Sequence, residues 1–412
     1  MTDGKQTPLG ALVMAGEGQN AAVEITPSIF MVKDISNAYL VTSEGGDMLV
    51  NTGFIGNGDR NRALFAPHRK GPMQAIVVTQ AHADHFGALP EQLEDGTQVI
   101  TGAGFTETDR YFDDLKMFLG RRSGKLWASM TRRDGPPPVP PKVIPDLEVE
   151  DRNAFDLGGK RVEVIKVPGG ETLCSVIVWL PDEKTVFTGN LFGPVWRSMP
   201  NLTTTRGDKP RLVGPYLKSC EIVRDLGAEL VITGHGEPVF GADKIRADIQ
   251  AMHDAVQWIE TETIKVMNAG GTVYDAMQSI HLPQDRKIGE FHGQTRWTVR
   301  AVWEENGNWF KYEDGTTALF GSPVSSVYAD LAELAGGADR VAQRAKALLD
   351  ADKPLEALHL VDVALGVDSA EPTALAVKKH ACQLLLARGG GQNLSETMWL
   401  KAEIAAAEAK LG

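Results

Sequence analysis

The feature that most constrains this 412-residue chain is a short apolar run that ends in a cluster of ligand-type side chains. Residues 75–79 (AIVVT) are β-branched and continuous, without polar alternation, which is the pattern of a strand covered on both faces. Gln80, Ala81, His82, Ala83, Asp84, His85, Phe86 and Gly87 follow directly. The strand end therefore delivers His82, Asp84 and His85 into one tight turn, and a helix is expected to open at Ala88 and Leu89. Imidazole nitrogen and carboxylate oxygen suit a divalent ion such as zinc. A lone histidine is most often a surface or core residue. Two histidines and an aspartate within four positions at a strand end are poorly explained that way.

Other segments repeat the style of that strand. Apolar runs at 29–32, 38–42 and 48–51 read as strands, with a hairpin turn over 43–47. Further strands are expected at 162–167, 175–180, 185–188 and 230–233, with a turn at 181–184. Helical stretches are expected around 89–94 and 215–226. Strands and helices mixed in this way predict an α/β sandwich with sheets inside and helices outside. Residues 105–145 read as an insertion that ends in a proline-rich stretch, 136–141, and so as a stiff surface loop. It carries Arg121, Arg122, Arg132 and Arg133 and is either a linker or the wall of a substrate cleft.

After about residue 240 the pattern becomes helical. Ile245, Ile249, Met252, Val256 and Ile259 recur at helical spacing within 242–267. Residues 323–412 are rich in Ala and Leu, and Gly389, Gly390 and Gly391 terminate a helix near 372–388. We place the domain boundary at 245/246, giving a metal-binding domain over 1–245 and a helical domain over 246–412.

Composition narrows the partners. Lys and Arg number 42 against 54 Asp and Glu, a formal net charge of −12, so nucleic acid is not an expected partner. No apolar run reaches the roughly 18 residues of a membrane span. The first 16 residues lack the long apolar core of a secretory signal. Cys174, Cys220 and Cys382 are far apart and show no CxxC spacing, which fits a reducing compartment and predicts a cytoplasmic location.

A metal site needs more ligands than one turn supplies, and candidates recur at the ends of later strands. Glu171 follows 162–167 in PGGET, Asn190 follows 185–188 in FTGN, and His235 follows 230–233 in TGHG. Each has a glycine nearby that lets the backbone turn tightly. A solvated loop would account for Glu171 alone and a turn for Asn190 alone. His235, between two glycines after a buried strand, is harder to account for without a ligand role.

The order QAHADH, GGET, FTGN, TGHG resembles the metallo-β-lactamase superfamily over residues 20–240, roughly. From about 268 onward the chain resembles the dimerisation domain of the alkylsulfatase branch. The matching stretches are 295–310 (TRWTVRAVWEENGNWF), 334–339 (LAGGAD), the helix pair through Asp368, and 395–400 (SETMWL). Glu171 in place of the usual third histidine is similar to that branch. So is 201–207 (NLTTTRG), whose Arg206 would match a sulfate-contacting arginine. The family's additional lipid-carrier-like C-terminal domain has no counterpart before residue 412. The resemblance implies an αββα sandwich followed by an all-α dimerisation domain, and a homodimer. It implies that Gln80, His82 and Glu171 hold one zinc, that Asp84, His85 and His235 hold a second, and that Asn190 sits where a bridging carboxylate is expected.

Two departures matter. Gln80 replaces a histidine and Asn190 replaces an acidic residue, and neutral amides are weaker zinc ligands. The expectation is one firmly bound zinc at Asp84, His85 and His235, with the second weak or absent. Zinc lowers the pKa of bound water from 15.7 towards about 7. Asp84 could orient that water, and the guanidinium of Arg206 could pair with two sulfate oxygens. Three functions follow in order of preference. The first is hydrolysis of an alkyl sulfate, a small anionic or amphiphilic ester. The second is a zinc-dependent lactonase, esterase or thioesterase on the same scaffold. The third is a catalytically weakened dimeric binding protein.

Overall fold

The computed structural model describes residues 6–131 and 139–412, so Arg132, Arg133 and the prolines at 136–138 lie outside the described residues. The chain forms two compact units, Met1–Asn306 and Gly307–Gly412.

The first unit holds two sheets. One runs in chain order through β1 (Val23–Thr26), β2 (Ile29–Val32), β3 (Ala38–Ser43), β4 (Gly46–Val50), β5 (Met73–Val77), β6 (Gln98–Gly102) and β7 (Leu147–Val149). It is antiparallel up to β4 and parallel from β4 to β7. The other runs through β8 (Arg152–Leu157), β9 (Lys160–Lys166), β10 (Val176–Leu180), β11 (Thr185–Gly189), β12 (Leu230–Thr233) and β13 (Val239–Phe240). Within it only β11 and β12 pair in parallel. Parallel neighbours need crossovers, and helices supply them: Gly58–Phe65 between β4 and β5, and Val213–Asp225 between β11 and β12.

Side-chain alternation makes the layers. On β5, Ala75 and Val77 meet Val164, Val176, Val178 and Phe187 of the second sheet. Ile76 on the same strand, and Val78 just after it, face the other way, under Phe65, Phe86 and Phe105. On β10, Val178 faces the first sheet, while Ile177 and Trp179 face the helices that cover the second. The result is the expected αββα sandwich. Burying each large aliphatic side chain contributes roughly 1.5–3 kcal/mol, which is why continuous apolar strands are stable here and would not be in a one-sided sheet.

Two expectations are corrected. The helix after the ligand cluster is Ala83–Phe86, which contains Asp84 and His85 rather than following them; 89–94 is a series of turns. The segment read as a stiff loop is helical over Phe105–Asp114 and Lys116–Thr131. The compact units divide at 306/307, beyond the domain boundary placed at 245/246 from the sequence. The helix Ala242–Asn268 buries Ile245, Ile249, Met252, Val256 and Ile259, and Thr295–Gly307 buries Val299 and Val302, in the same core as Ile177, Trp179 and Val231. Helical spacing marked 242–267 as a helix but could not say which sheet face it covers.

The second unit is all-α. Tyr328–Ala335, Ala338–Asp350, Pro354–Val367 and Pro372–Arg388 share a core whose small members, such as Ala342, Ala345, Ala357, Ala364, Ala374 and Ala381, let the helices approach closely. Leu394–Leu411 follows, started by Asn393, whose side chain accepts from the Glu396 amide at 3.1 Å. Among the described residues no helix is long and apolar enough to cross a membrane. All three cysteines are free and buried.

Ile249→Ala should destabilise the sheet-bearing unit by about 2–5 kcal/mol, because Ile249 has no exposed surface in that core. Urea unfolding with hydrogen exchange in β9–β12 measures this; unchanged exchange there would detach the helix from the core.

Candidate metal centre

The site gathers where strands end. His82, Asp84 and His85 follow β5, Asn190 follows β11, and His235 follows β12. Hydrogen bonds across the strand ends fix them: Gly234 N donates to Gly189 O at 2.8 Å, and Asn37 N donates to Gly234 O at 2.8 Å. Gly234 is required by close approach. A Cβ there would lie 2.1 Å from Asn190 Oδ1 and 3.0 Å from His85 Cε1.

Asp84, His85 and His235 each offer a ligand atom, and these atoms lie within 4.8 Å of one another. Asp84 Oδ2 is 3.7 Å from His85 Nε2 and 3.8 Å from His235 Nε2. His85 Nδ1 is 3.1 Å from Ser36 Oγ, which donates to Gly234 O, and 3.3 Å from Thr79 Oγ1, so the ring is oriented from behind. Burial pushes the His85 pKa down to about 4 against the opposing charge of Asp84, so the imidazole is neutral at pH 7 with a lone pair to give. Burial raises the Asp84 pKa, but His85, His235 and His82 outweigh it, and the group is ionised. Two neutral imidazoles and one carboxylate are a donor set that fits zinc.

The adjoining half is different. Gln80 Nε2 donates to His82 Nδ1 at 2.8 Å, and His82 Nδ1 lies 3.5 Å from Glu171 Oε2. Asn190 Nδ2 lies 3.0 Å from Glu171 Oε2 and 3.1 Å from His235 Nε2, so an amide stands between the two halves. Glu171 is already partnered. Arg211 lies 3.4 Å from its Oε1 and donates from Nε to its backbone oxygen at 2.9 Å; His292 Nε2 is 3.7 Å from Oε1. Burial works to raise the Glu171 pKa, but Arg211, His292 and His82 hold it well below the usual range. This half offers one carboxylate committed to a guanidinium, one imidazole and two amides, a poor fit for a second divalent cation.

Arg206 is partly exposed. Its Nε lies 3.1 Å from both Asp208 oxygens and its Nη2 is 2.5 Å from Oδ2. Asp208 Oδ2 is also 3.8 Å from His82 Nε2 and 3.8 Å from Arg211 Nη2. Burial would raise the Asp208 pKa, but Arg206, His82 and Arg211 bring it to about 2. The structure thus brings together Gln80, His82, Asp84, His85, Glu171, Asn190 and His235, with Arg206 beside His82 through Asp208. Asp208, Arg211 and His292 were missed. Asp208 and Arg211 lie just past 201–207, where the motif reading stopped, and His292 stands alone in its segment without a motif.

Residues 31–235 match the metallo-beta-lactamase superfamily, and residues 272–399 match the alkyl sulfatase dimerisation family. The chain belongs to the metallo-beta-lactamase superfamily. Within it the chain is alkylsulfatase-like. A linear primary-alkylsulfatase of Pseudomonas sp. is 25% identical over 375 residues, covering 84% of this chain and 69% of that protein. An (R)-specific secondary-alkylsulfatase of Pseudomonas sp. is 23% identical over 415 residues, covering 91% of this chain and 60% of that protein. The solved structure of the stereoselective inverting sec-alkylsulfatase Pisa1 from Pseudomonas sp. is 22% identical, covers 94% of this chain and 65% of that one, and has a TM-score of 0.81, so the fold is shared. The chain therefore spans only part of each of these relatives.

Gly234→Ala should weaken metal binding by about 10- to 100-fold through displaced Asn190 and His85, with circular dichroism unchanged; chelator competition reads it out. Arg211→Met should cost about 3–5 kcal/mol in urea unfolding, because it leaves Glu171 buried without its guanidinium.

Proposed function

We propose that this chain is a metal-dependent hydrolase of alkyl sulfate esters. The observation that carries the reading is the convergence of Asp84, His85 and His235 on one point in an alkylsulfatase-like chain. We assign zinc to that donor set. A zinc ion held there supplies Lewis acidity, lowering the pKa of a coordinated water from 15.7 towards about 7. Asp84 combines metal binding with orientation of the attacking water. Gln80, His82, Glu171 and Asn190 form the weaker half: with two amides and a carboxylate committed to Arg211, they hold a second ion loosely or not at all. Arg206 presents two donors from one planar edge to an anionic headgroup.

One observation favours a second reading. Asp208 already occupies the Nε and Nη2 edge of Arg206, which suits a neutral ester, lactone or thioester better than an anion. The sulfate ester reading stays first because the two Pseudomonas relatives and the solved structure described above are alkylsulfatases.

We also propose a cytoplasmic homodimer. The free buried cysteines suit a reducing compartment. Tyr312, Phe320, Val324 and Leu334 are exposed by 89%, 80%, 72% and 85%, a density of apolar surface that a second copy would cover.

The protein should release inorganic sulfate from decyl sulfate, lose that activity on chelation and regain it with zinc. Asp84→Ala and His235→Ala should abolish it and loosen the metal. Mass spectrometry should find one tightly bound zinc per chain, and Asn190→Asp should raise the count towards two. A metal-free wild type that is inactive on sulfate esters, lactones and thioesters would leave only a binding protein.

A further inference from the structure

The loop 201–211 holds a feature that the proposed chemistry does not need. It is built to fix one carboxylate. Thr204 Oγ1 accepts from the backbone amides of Gly207 and Asp208, both at 3.1 Å, and Arg211 N returns to Leu202 O at 2.9 Å. This turn points Asp208 inward, where its side chain is only 5% exposed. There it meets three nitrogen donors from separate residues: Arg206 in a two-oxygen contact, and His82 Nε2 and Arg211 Nη2, each at 3.8 Å. His82 Nε2 and Arg211 Nη2 are buried and, among the described residues, have no hydrogen-bond partner within 3.5 Å. A carboxylate ringed by two guanidiniums and an imidazole, two of whose donors are unfilled, has the geometry of a bound anion. It also lies beside His82, next to the proposed reaction centre.

We propose that Asp208 is a built-in counter-anion that occupies the anion subsite of this chain, so that a sulfate group binds only by displacing it from Arg206. Asp208 is thereby a specificity-determining residue: it weakens binding of anionic headgroups and leaves neutral esters unaffected. The inference rests on the reading that Arg206 meets the substrate's anionic group. It adds that this group competes with a resident carboxylate of like charge and similar hydrogen-bonding shape. Sulfate can fill Arg206 as Asp208 does and also satisfy His82 and Arg211, which Asp208 reaches only at 3.8 Å.

Inorganic sulfate and decanesulfonate, which carries the anionic headgroup on a C–S bond that is not hydrolysed, serve as probes in isothermal titration calorimetry on the zinc-loaded protein, with wild type, Asp208→Asn, Arg206→Ala and the double variant. Asp208→Asn keeps the side chain's shape and removes its charge, and Asp208→Ala serves as a second variant should Asn perturb the turn. The expected result is about tenfold or more tighter binding of both probes in the Asp208 variants, as a charged competitor for a charge-assisted hydrogen bond requires. That gain should vanish when Arg206 is already alanine. Unchanged affinity in the Asp208 variants while Arg206→Ala binds more weakly would overturn this proposal and leave the assignment of Arg206 standing. An equal gain with and without Arg206 would also overturn it, because Asp208 would then act only as diffuse charge. Arg206→Ala binding sulfate like wild type would overturn both.

Discussion

The centre depends on a set of hydrogen bonds that join the two sheets at one edge. Val176 N, at the start of β10, donates to Thr79 O just past β5 at 2.9 Å. Tyr39 Oη, on β3, donates to Thr233 O at the end of β12 at 2.6 Å. Asn37 N reaches Gly234 O, and within the second sheet Gly234 N reaches Gly189 O. Because the strands are rigid and buried, these few bonds bring His85 and His235, far apart in the chain, to within ligand distance of Asp84. Parallel neighbours make this possible, since their carboxyl ends open on the same side and leave a crevice for a ligand.

The two halves of the centre balance charge differently. The ion-pair neighbours of Asp84 are His85 and His235, imidazoles that burial holds towards the neutral form, so a cation is the natural partner of that carboxylate. Around Glu171 the protein has supplied its own cation, Arg211, and placed the Asn190 amide between Glu171 and His235. An aspartate at 190 would put a second carboxylate 3 Å or so from Glu171, tolerable only with a metal between them or one group protonated. Asn190 and the Arg211–Glu171 pair are therefore mutually consistent. Each removes the need for a second ion that the other would otherwise create.

Much of this was legible in the sequence. Continuous β-branched runs gave β2, β5, β10, β11 and β12, and the ligand-type residues at their ends named the residues that converge. What the sequence hid was of two kinds. Helix spacing in 242–267 fixed the apolar stripe but not its partner, because a stripe is complementary to any apolar face; the packing against β9–β12 decides that. The role of 201–211 was also hidden. Read alone, Arg206 is a free cation. Only the turn at Thr204 reveals that Asp208, two residues on, folds back onto it. Short-range polar pairing of this kind has no periodicity and leaves no pattern to read.

The same pairing sets the terms on which an anion can enter. A sulfate arriving while Asp208 remains in place would put a second negative group beside Arg206. At about 4 Å two like charges repel by roughly 1–4 kcal/mol at the effective dielectrics of water and a protein surface, enough to cost about five- to a thousandfold in affinity. Exchange avoids that penalty, since one anion leaves as another of similar shape takes its donors. The lower exposure of Asp208 than of Arg206, 5% against 22%, means the guanidinium is the solvent-facing partner. An incoming headgroup therefore meets the arginine first and the aspartate afterwards, and the exchange starts from the exposed side of the pair.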